Sequence, residues 1–101
     1  MRFRFKTKTL YSIYYHRNYR CSYPPEIVQA FREAMTIIES AQDERDLYKF
    51  KSLHFEKLQG KAGLTGEYSI RLNRQYRLIV QIETDDEGRL MLIIEITKHY
   101  E

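Results

Sequence analysis

The first half of the chain combines one short strand-like pattern with two longer helix-like patterns. Arg2-Phe3-Arg4-Phe5 alternates with period two, which predicts a short strand. Helical spacing of apolar residues predicts a helix from Thr7 to about Asn18, and Tyr23-Pro24-Pro25 ends it. A second helix is predicted from Pro25 to about Ala41, because its apolar residues form one stripe: Ile27, Ala30, Phe31, Ala34, Ile38 and Ala41.

In the second half the period changes from helical to two, which predicts strands. These are expected at 53–58, 68–72, 76–83 and 90–99, with a glycine-containing loop at 57–66, a turn at 73–75 and a charged hairpin turn at 85–88. We therefore expect one domain, residues 1–101, of the α+β class. Two N-terminal helices should pack on one face of an antiparallel sheet.

The alternation in the second half also predicts which strand residues face each other. For the apolar residues of 68–72 and 76–83 to share a face, an odd number of residues must connect them. Three connecting residues, 73–75, place Ile70 opposite Leu78 and Arg71 opposite Arg77. Opposed residues have Cβ atoms about 5 Å apart, so two arginines there repel unless an anion or acid lies between them.

The last strand extends this pattern. Its alternation predicts that Leu92, Ile94 and Ile96 face the helices, and that the opposite set joins the two arginines: Ile93, Glu95, Thr97 and His99. A face with two arginines and a histidine is suited to a phosphate. An ordinary solvated face, in which Glu95 pairs with one of the arginines, explains the same pattern.

Charge is distributed unevenly along the chain. The 17 basic and 14 acidic residues give a net charge of +3. Residues 1–25 carry six basic side chains and no acidic one, 52–80 are mainly basic, and 81–101 are mainly acidic. Two basic blocks favour a polyanionic partner such as nucleic acid, and a solvated basic face is the alternative. Five tyrosines lie close together near two arginines in the first helical region, and they are compatible with base stacking, core packing or an apolar interface. They are Tyr11, Tyr14, Tyr15, Tyr19 and Tyr23, with Arg17 and Arg20.

Other kinds of site are not expected. The single cysteine, Cys21, excludes an internal disulfide framework. His16, His54 and His99 lack neighbours at metal-ligand spacing, and the glycines of 57–66 do not form a nucleotide-binding loop, so we predict no metal and no cofactor. We also expect no membrane span and no signal peptide, and hence a cytoplasmic domain.

Three segments resemble a known family. They are Leu53-His54-Phe55-Glu56-Lys57-Leu58-Gln59-Gly60, then Gly66-Glu67-Tyr68-Ser69-Ile70-Arg71-Leu72-Asn73-Arg74-Gln75-Tyr76-Arg77-Leu78-Ile79, and Lys98-His99-Tyr100. Together they resemble the HigB-like toxins of the RelE/ParE toxin–antitoxin superfamily. The resemblance implies a RelE-like fold and a metal-independent endoribonuclease that cleaves mRNA in the ribosomal A site. It also implies two partners: the 70S ribosome with its mRNA, and a HigA-like helix-turn-helix antitoxin through which operator DNA is bound.

The resemblance further implies roles for individual residues. The family's functional positions match His54, Lys57, Arg71, Arg77 and His99. We expect His99, Arg77 and Arg71 to be catalytic, and Lys57, His54, Arg74 and Lys98 to bind RNA. The chain departs from the family at the end, where Thr97-Lys98-His99 stands in place of Asp-Tyr-His. That departure leaves the assignment of acid and base open.

Two other functions are compatible with the same fold. A non-enzymatic toxin of the ParE branch inhibits DNA gyrase by binding, although such chains generally lack the arginine and histidine set found here. A small RNA-binding module without catalysis is the other. For a toxin, the tyrosine-rich segment 7–23 is the expected antitoxin contact, because exposed tyrosine and arginine are common at interfaces.

Overall fold

Residues 1–58 and 66–98 are described in a computed structural model, and they form the mixed α+β fold that the sequence predicts. The elements in chain order are β1 (Phe3–Phe5), α1 (Lys8–Tyr15), α2 (Pro25–Ser40), 3₁₀ helices at Glu44–Lys49 and Lys51–Leu53, β2 (Glu56–Lys57), β3 (Glu67–Arg71), β4 (Tyr76–Asp85) and β5 (Gly88–Lys98). No helix within the described residues is long and apolar enough to cross a bilayer.

Both helices begin at the residues that the sequence indicates. The Thr7 side chain accepts a hydrogen bond from the Leu10 amide at 3.3 Å, which caps α1. Pro25 occupies the first turn of α2, where its missing N–H is not needed. α1 is shorter than predicted, because His16 already has an extended backbone and ends the helix.

The core lies between the helices and one face of the sheet. α2 contributes fully buried side chains, including Phe31 and Ile38, and α1 contributes Leu10 and Ile13. The sheet side of this core consists of Ile70, Leu78, Val80, Met91, Ile93 and Ile96. Both helices therefore cover the same face and leave the opposite face of the sheet free to carry polar groups.

The strand order is β1-β5-β4-β3-β2. β2 to β5 are antiparallel, as predicted, but β1 pairs in parallel with β5, so the expectation of a wholly antiparallel sheet is wrong at that edge. β1 is three residues long, and its two phenylalanines enter the aromatic packing against α1. Because alternation shows which side chains are buried but not which strand lies next to β1, its direction was not predictable.

The hairpin of β3 and β4 has the predicted register. Ile70 pairs with Leu78, and Arg71 pairs with Arg77. Both apolar partners are fully buried beneath the helices. Burial of that pair places the two arginines on the free face of the sheet.

The predicted facing of β5 is partly wrong, because a β-bulge interrupts the strand. Ile79 pairs with Glu95 but its neighbour Val80 pairs with Ile93, so Ile94 is an extra residue without a partner. After the bulge, Ile96 faces the core and Glu95 and Thr97 face away, as predicted. Before it the alternation reverses: Ile93 is in the core cluster, and Leu92 is not.

The predicted strand 53–58 is also reduced. Lys51–Leu53 forms a 3₁₀ turn, and His54 follows with φ 45°, a left-handed conformation that interrupts an extended strand. Only Glu56 and Lys57 pair with β3. Most of the predicted loop 57–66 lies outside the described residues, as does the end of the predicted last strand.

The acidic end of the sheet neutralises the first basic residues of the chain. Arg2 bonds Asp85 through two nitrogens, at 2.7 and 3.0 Å, and this hydrogen bonding lowers the pKa of Asp85 to about 2. Arg4 pairs with Glu83 at 2.7 Å. Arg89 pairs with the buried carboxylate of Glu44. The two N-terminal arginines are therefore part of the structure of this end of the sheet.

The bulge generates the first testable prediction. Ile93→Ala should lower the free energy of unfolding by about 2–5 kcal/mol, because it empties a fully buried position. Glu95→Ala, two residues away on the exposed face, should change it by no more than about 0.5 kcal/mol. Urea denaturation of both variants measures the difference. Equal effects would place Ile93 and Glu95 on the same face and would contradict the bulge.

Candidate functional site

A hairpin turn organises the polar face of the sheet. The side-chain oxygen of Asn73 accepts hydrogen bonds from the amides of Gln75 and Tyr76, both at 2.8 Å. Asparagine favours this geometry, in which its side chain bonds the backbone two residues ahead. The turn holds the Asn73 carbonyl beside the ends of β3 and β4.

Two guanidinium groups meet at that carbonyl. Arg71 Nε donates to the Asn73 carbonyl oxygen at 3.3 Å, and Arg77 Nη1 donates to the same oxygen at 2.8 Å. Arg77 Nη1 also donates to the Tyr76 carbonyl at 3.1 Å. A neutral oxygen thus lies where the register requires an acceptor between two opposed cations. It orients both side chains but does not neutralise their charge.

No carboxylate pairs with either arginine within residues 1–58 and 66–98. Glu95, the candidate partner suggested by the sequence, lies opposite Ile79 and is exposed. Like charges this close are unfavourable unless an anion joins them. The face therefore presents two positive charges to a ligand rather than an internal salt bridge.

A pocket of about 230 Å³ opens beside Arg77 on this face. Its lining combines polar groups with two apolar side chains, and consists of Glu56, Leu58, Ser69, Arg77, Ile79, Thr97 and Lys98. Thr97 lies directly opposite Arg77 across the β4–β5 pair. The pocket is large enough for a phosphate and part of a nucleoside.

His54 lies beside Arg71. Its Nε2 is 3.4 Å from Arg71 Nη1, and it carries the left-handed backbone described above. Backbone conformations of this kind are uncommon for non-glycine residues and are found preferentially at functional sites.

The remaining predicted site residues are placed differently. Lys57 pairs with Tyr68, and therefore faces the helix side of the sheet rather than the arginine side. Arg74 is exposed in the turn. Lys98 lines the pocket, and its Nζ is 5.7 Å from the centre of the Tyr76 ring. His99 lies outside the described residues.

Three polar residues that line the pocket had no functional role predicted from the sequence, although Thr97 was expected on the arginine face: Glu56, Ser69 and Thr97. Ser69 and Thr97 share the alternation of Arg71 and Arg77, which was signal enough. Glu56 could not be placed, because the alternation of 53–58 is imperfect. Within the part of the chain that the structure describes, no three His, Cys, Asp or Glu side chains lie close enough together to hold a metal ion.

The amino-acid sequence is similar to those of known toxins. The family model for HigB-like toxins, described as the RelE-like toxin HigB of type II toxin–antitoxin systems, matches residues 3–92. Toxin HigB-1 of Vibrio cholerae is 38% identical over 81 residues, which cover 80% of this chain and 83% of the relative.

Solved structures share the fold. A YoeB/ParE toxin from Agrobacterium tumefaciens aligns with a TM-score of 0.58 at 14% identity, over 99% of this chain and 100% of the other. A YoeB–YefM complex from Staphylococcus aureus aligns with a TM-score of 0.55 at 24% identity, over 99% and 98%.

The turn generates the second prediction. Asn73→Ala removes the acceptor of two backbone hydrogen bonds, so the Arg71 side chain should lose its fixed carbonyl partner and become mobile. The ¹⁵N heteronuclear relaxation of Arg71 Nε measures this mobility.

Asn73→Asp is the matched control, because aspartate keeps the accepting oxygen and favours the same turn. It should leave Arg71 Nε as ordered as in the wild type. Equal order of Arg71 Nε in the alanine variant would show that the asparagine side chain does not position the arginines.

Proposed function

The chain belongs to the HigB-like toxins, RelE-like toxins of type II toxin–antitoxin systems, and on that premise we propose that it is an endoribonuclease that cleaves mRNA in the ribosomal A site. The observation that carries the proposal is the pair Arg71 and Arg77, which meet at one carbonyl beside a pocket and have no carboxylate partner in the described residues. Such a pair is suited to the phosphate of an RNA backbone.

Arginine suits the reaction as well as the ligand. Attack on a phosphodiester increases the negative charge on the non-bridging oxygens, and preoriented donors stabilise that charge most when they need not reorganise. Backbone carbonyls engage only part of each guanidinium group: Arg71 Nε donates to Asn73, and Arg77 Nη1 donates to Asn73 and Tyr76. Within the described residues this leaves Nη2 of both arginines, and Nε of Arg77, as donors for the phosphate.

In the proposed reaction the ribose 2′ oxygen attacks the adjacent phosphorus. The bond from the 2′ oxygen to phosphorus forms as the bond to the 5′ oxygen of the next nucleotide breaks, which leaves a 2′,3′-cyclic phosphate. A base removes the 2′ hydroxyl proton, and an acid donates a proton to the departing 5′ oxygen. Every group needed is a side chain, so the proposal includes no metal and no cofactor.

Three residues are candidates for the proton transfers. His99, which the resemblance assigns to catalysis, remains a sequence-based proposal. Glu56 lines the same pocket as Arg77, and a carboxylate beside a phosphate site is unfavourable for binding alone, which is consistent with a role as base. His54 has its Nε2 3.4 Å from Arg71 Nη1, and histidine is the side chain most often used for proton transfer in catalysis.

Binding to ribosomal RNA and message is proposed for the surrounding basic residues. Arg74 is exposed in the turn beside the pocket and can reach phosphates near a bound scissile bond. Lys98 borders the pocket, but its Nζ lies 5.7 Å from the centre of the Tyr76 ring, so we propose that it contacts RNA at the end of the sheet. Lys57 faces the other side of the sheet at its β2 edge. We propose that it contacts the RNA backbone around that edge rather than at the reacting phosphate.

We propose an antitoxin as the second partner, of the HigA-like helix-turn-helix type that binds operator DNA. α1 offers an apolar surface for it, since Tyr11 is 49% exposed and Tyr15 is 53% exposed. These two rings are in tilted contact, with centroids 4.6 Å apart, and belong to the aromatic cluster around Phe5. Exposed aromatic residues on a rigid base are typical anchors of an interface.

Translation in vitro, with primer extension on the message, tests the function and gives the third prediction. Wild-type protein should cut message in the A site, and Arg77→Ala should reduce the single-turnover rate about 10²–10³-fold, because one donor to the developing charge is lost. Thermal unfolding should change little, since a partly exposed side chain is removed.

Arg4→Ala is the matched control for charge. Arg4 lies on the same face of the sheet as Arg77, but it forms an ion pair with Glu83 and lies beside Leu92, far along β5 from Arg77. It should cleave at the wild-type rate. If Arg77→Ala cleaves at the wild-type rate, the site lies elsewhere. If the wild-type protein causes gyrase-dependent DNA breaks, the ParE-like alternative is favoured. If the wild-type protein binds ribosomes without cleaving message, a module without catalysis is favoured.

The fourth prediction concerns His99. His99→Gln should lower single-turnover cleavage on programmed ribosomes about 10²–10⁴-fold while ribosome binding is kept, because an amide can hydrogen-bond but cannot transfer a proton at neutral pH. A loss smaller than about threefold would remove His99 from the chemistry and leave Glu56 and His54 as the candidates. Glu56→Gln in the same assay distinguishes between those two.

A further inference from the structure

A basic groove lies in the helix layer, away from the arginine pocket. α2 and the segment that leads into it border two neighbouring pockets of about 490 and 340 Å³. The two pockets share Arg17, Gln29 and Arg32, and the larger one also includes Arg20. We call Arg17, Arg20 and Arg32, with the pockets they border, the helix-layer groove.

Arg32 builds this groove. Its Nε donates to the Ile13 carbonyl at 3.0 Å, and its Nη2 donates to the Arg17 carbonyl at 3.2 Å. These bonds fasten the end of α1 and the following residues to α2. The side chains of Arg17 and Arg20 are exposed, so the backbone is held while the charges face solvent.

The charge of the groove is not neutralised inside the described part of the chain. Arg17, Arg20 and Arg32 form no ion pair there. Glu33 lines the smaller pocket and accepts a hydrogen bond from Gln29 at 3.0 Å, so the groove carries one negative charge against three positive ones. Three arginines around one concave surface attract a polyanion.

Aromatic residues accompany the arginines. Tyr19 is 40% exposed, and Tyr19 and Tyr23 both line the larger pocket. Arginine alternating with exposed tyrosine is the combination that binds nucleic acid backbones and stacks on bases. A protein partner also uses tyrosine and arginine, so the binding experiment below includes the antitoxin as an alternative occupant.

The groove is continuous with the arginine pocket. The Tyr23 ring meets the Tyr76 ring edge to face at 6.4 Å, and Lys98 Nζ lies 5.7 Å from the centre of the Tyr76 ring. Lys98 also lines the pocket that contains Arg77. Side-chain contacts through Lys98, Tyr76 and Tyr23 therefore link the pocket that Arg77 lines to the helix layer.

We propose that the helix-layer groove is a second RNA-binding surface, which holds the phosphate backbone of the RNA beyond the segment bound at Arg71 and Arg77. The inference deepens the proposed function and rests on it for the identity of the RNA. Arg17 and Arg20 contact phosphates, and Tyr19 stacks on a base or covers a ribose. The groove supplies affinity and direction but no chemistry.

Binding of Arg17→Ala/Arg20→Ala to programmed 70S ribosomes tests the proposal. The half-saturating concentration for cleavage should rise about tenfold or more, and the slope of log affinity against log salt should fall by about 1.5, since two phosphate contacts are lost. The maximal single-turnover rate should stay within about twofold. Circular dichroism should match the wild type, because both side chains are exposed.

Lys6→Ala/Lys8→Ala is the matched control, because it removes two exposed positive charges at the opposite end of α1. It should leave affinity and salt slope within about twofold of the wild type. Equal effects of the two double variants would overturn the proposal, since only net charge would then matter. Loss of binding to co-purified antitoxin with unchanged ribosome affinity would also overturn it, by making the groove a protein interface.

The two proposals fail in distinguishable ways. If the wild-type protein binds ribosomes but cuts no message, the proposed function fails. The proposal for the helix-layer groove is then still supported if Arg17→Ala/Arg20→Ala weakens ribosome binding and Lys6→Ala/Lys8→Ala does not. If the wild type cuts message and the groove variant has wild-type affinity and salt slope, the groove fails and the proposed function stands.

Discussion

The burial of Ile70 against Leu78 is the constraint on which the polar face of this protein depends. Both side chains are inaccessible to solvent, and they face the helices from adjacent strands. A slip of one residue would turn the apolar residues of one strand to the free face, so the register is strongly determined. With that register, Arg71 and Arg77 must lie opposite each other on the free face, whatever the cost of their repulsion.

Charge is separated along the sheet in a way that follows from this arrangement. At one end the acidic residues of β4 and the following turn bind the basic residues of the N-terminus, as in the pair of Arg2 with Asp85. At the other end Arg71 and Arg77 have only a neutral carbonyl between them. The numbers of basic and acidic residues are nearly equal, but one end of the sheet is therefore neutralised and the other end is positive. A positive surface of this kind attracts polyanions such as RNA.

Much of this could be predicted from sequence, and the parts that could not have physical reasons. The β3–β4 hairpin followed from alternation and a three-residue turn, because both are local. The bulge at Ile94 did not, because one unpaired apolar residue within an apolar run leaves no sign in the alternation. Likewise, the parallel pairing of β1 and the position of Glu56 depend on contacts between distant segments. The contact of both arginines with the Asn73 carbonyl could not be predicted either, because every residue has a backbone carbonyl and the sequence does not show where it points.

The hairpin turn makes the arrangement of the two arginines almost independent of the rest of the chain. Arg71, the turn and Arg77 occupy seven consecutive residues, and the acceptor that orients both guanidinium groups lies between them. Within a lineage, the helices could diverge in sequence as long as they covered the buried side of this hairpin. Selection on the two arginines would then act on one short segment, while the surfaces around it changed.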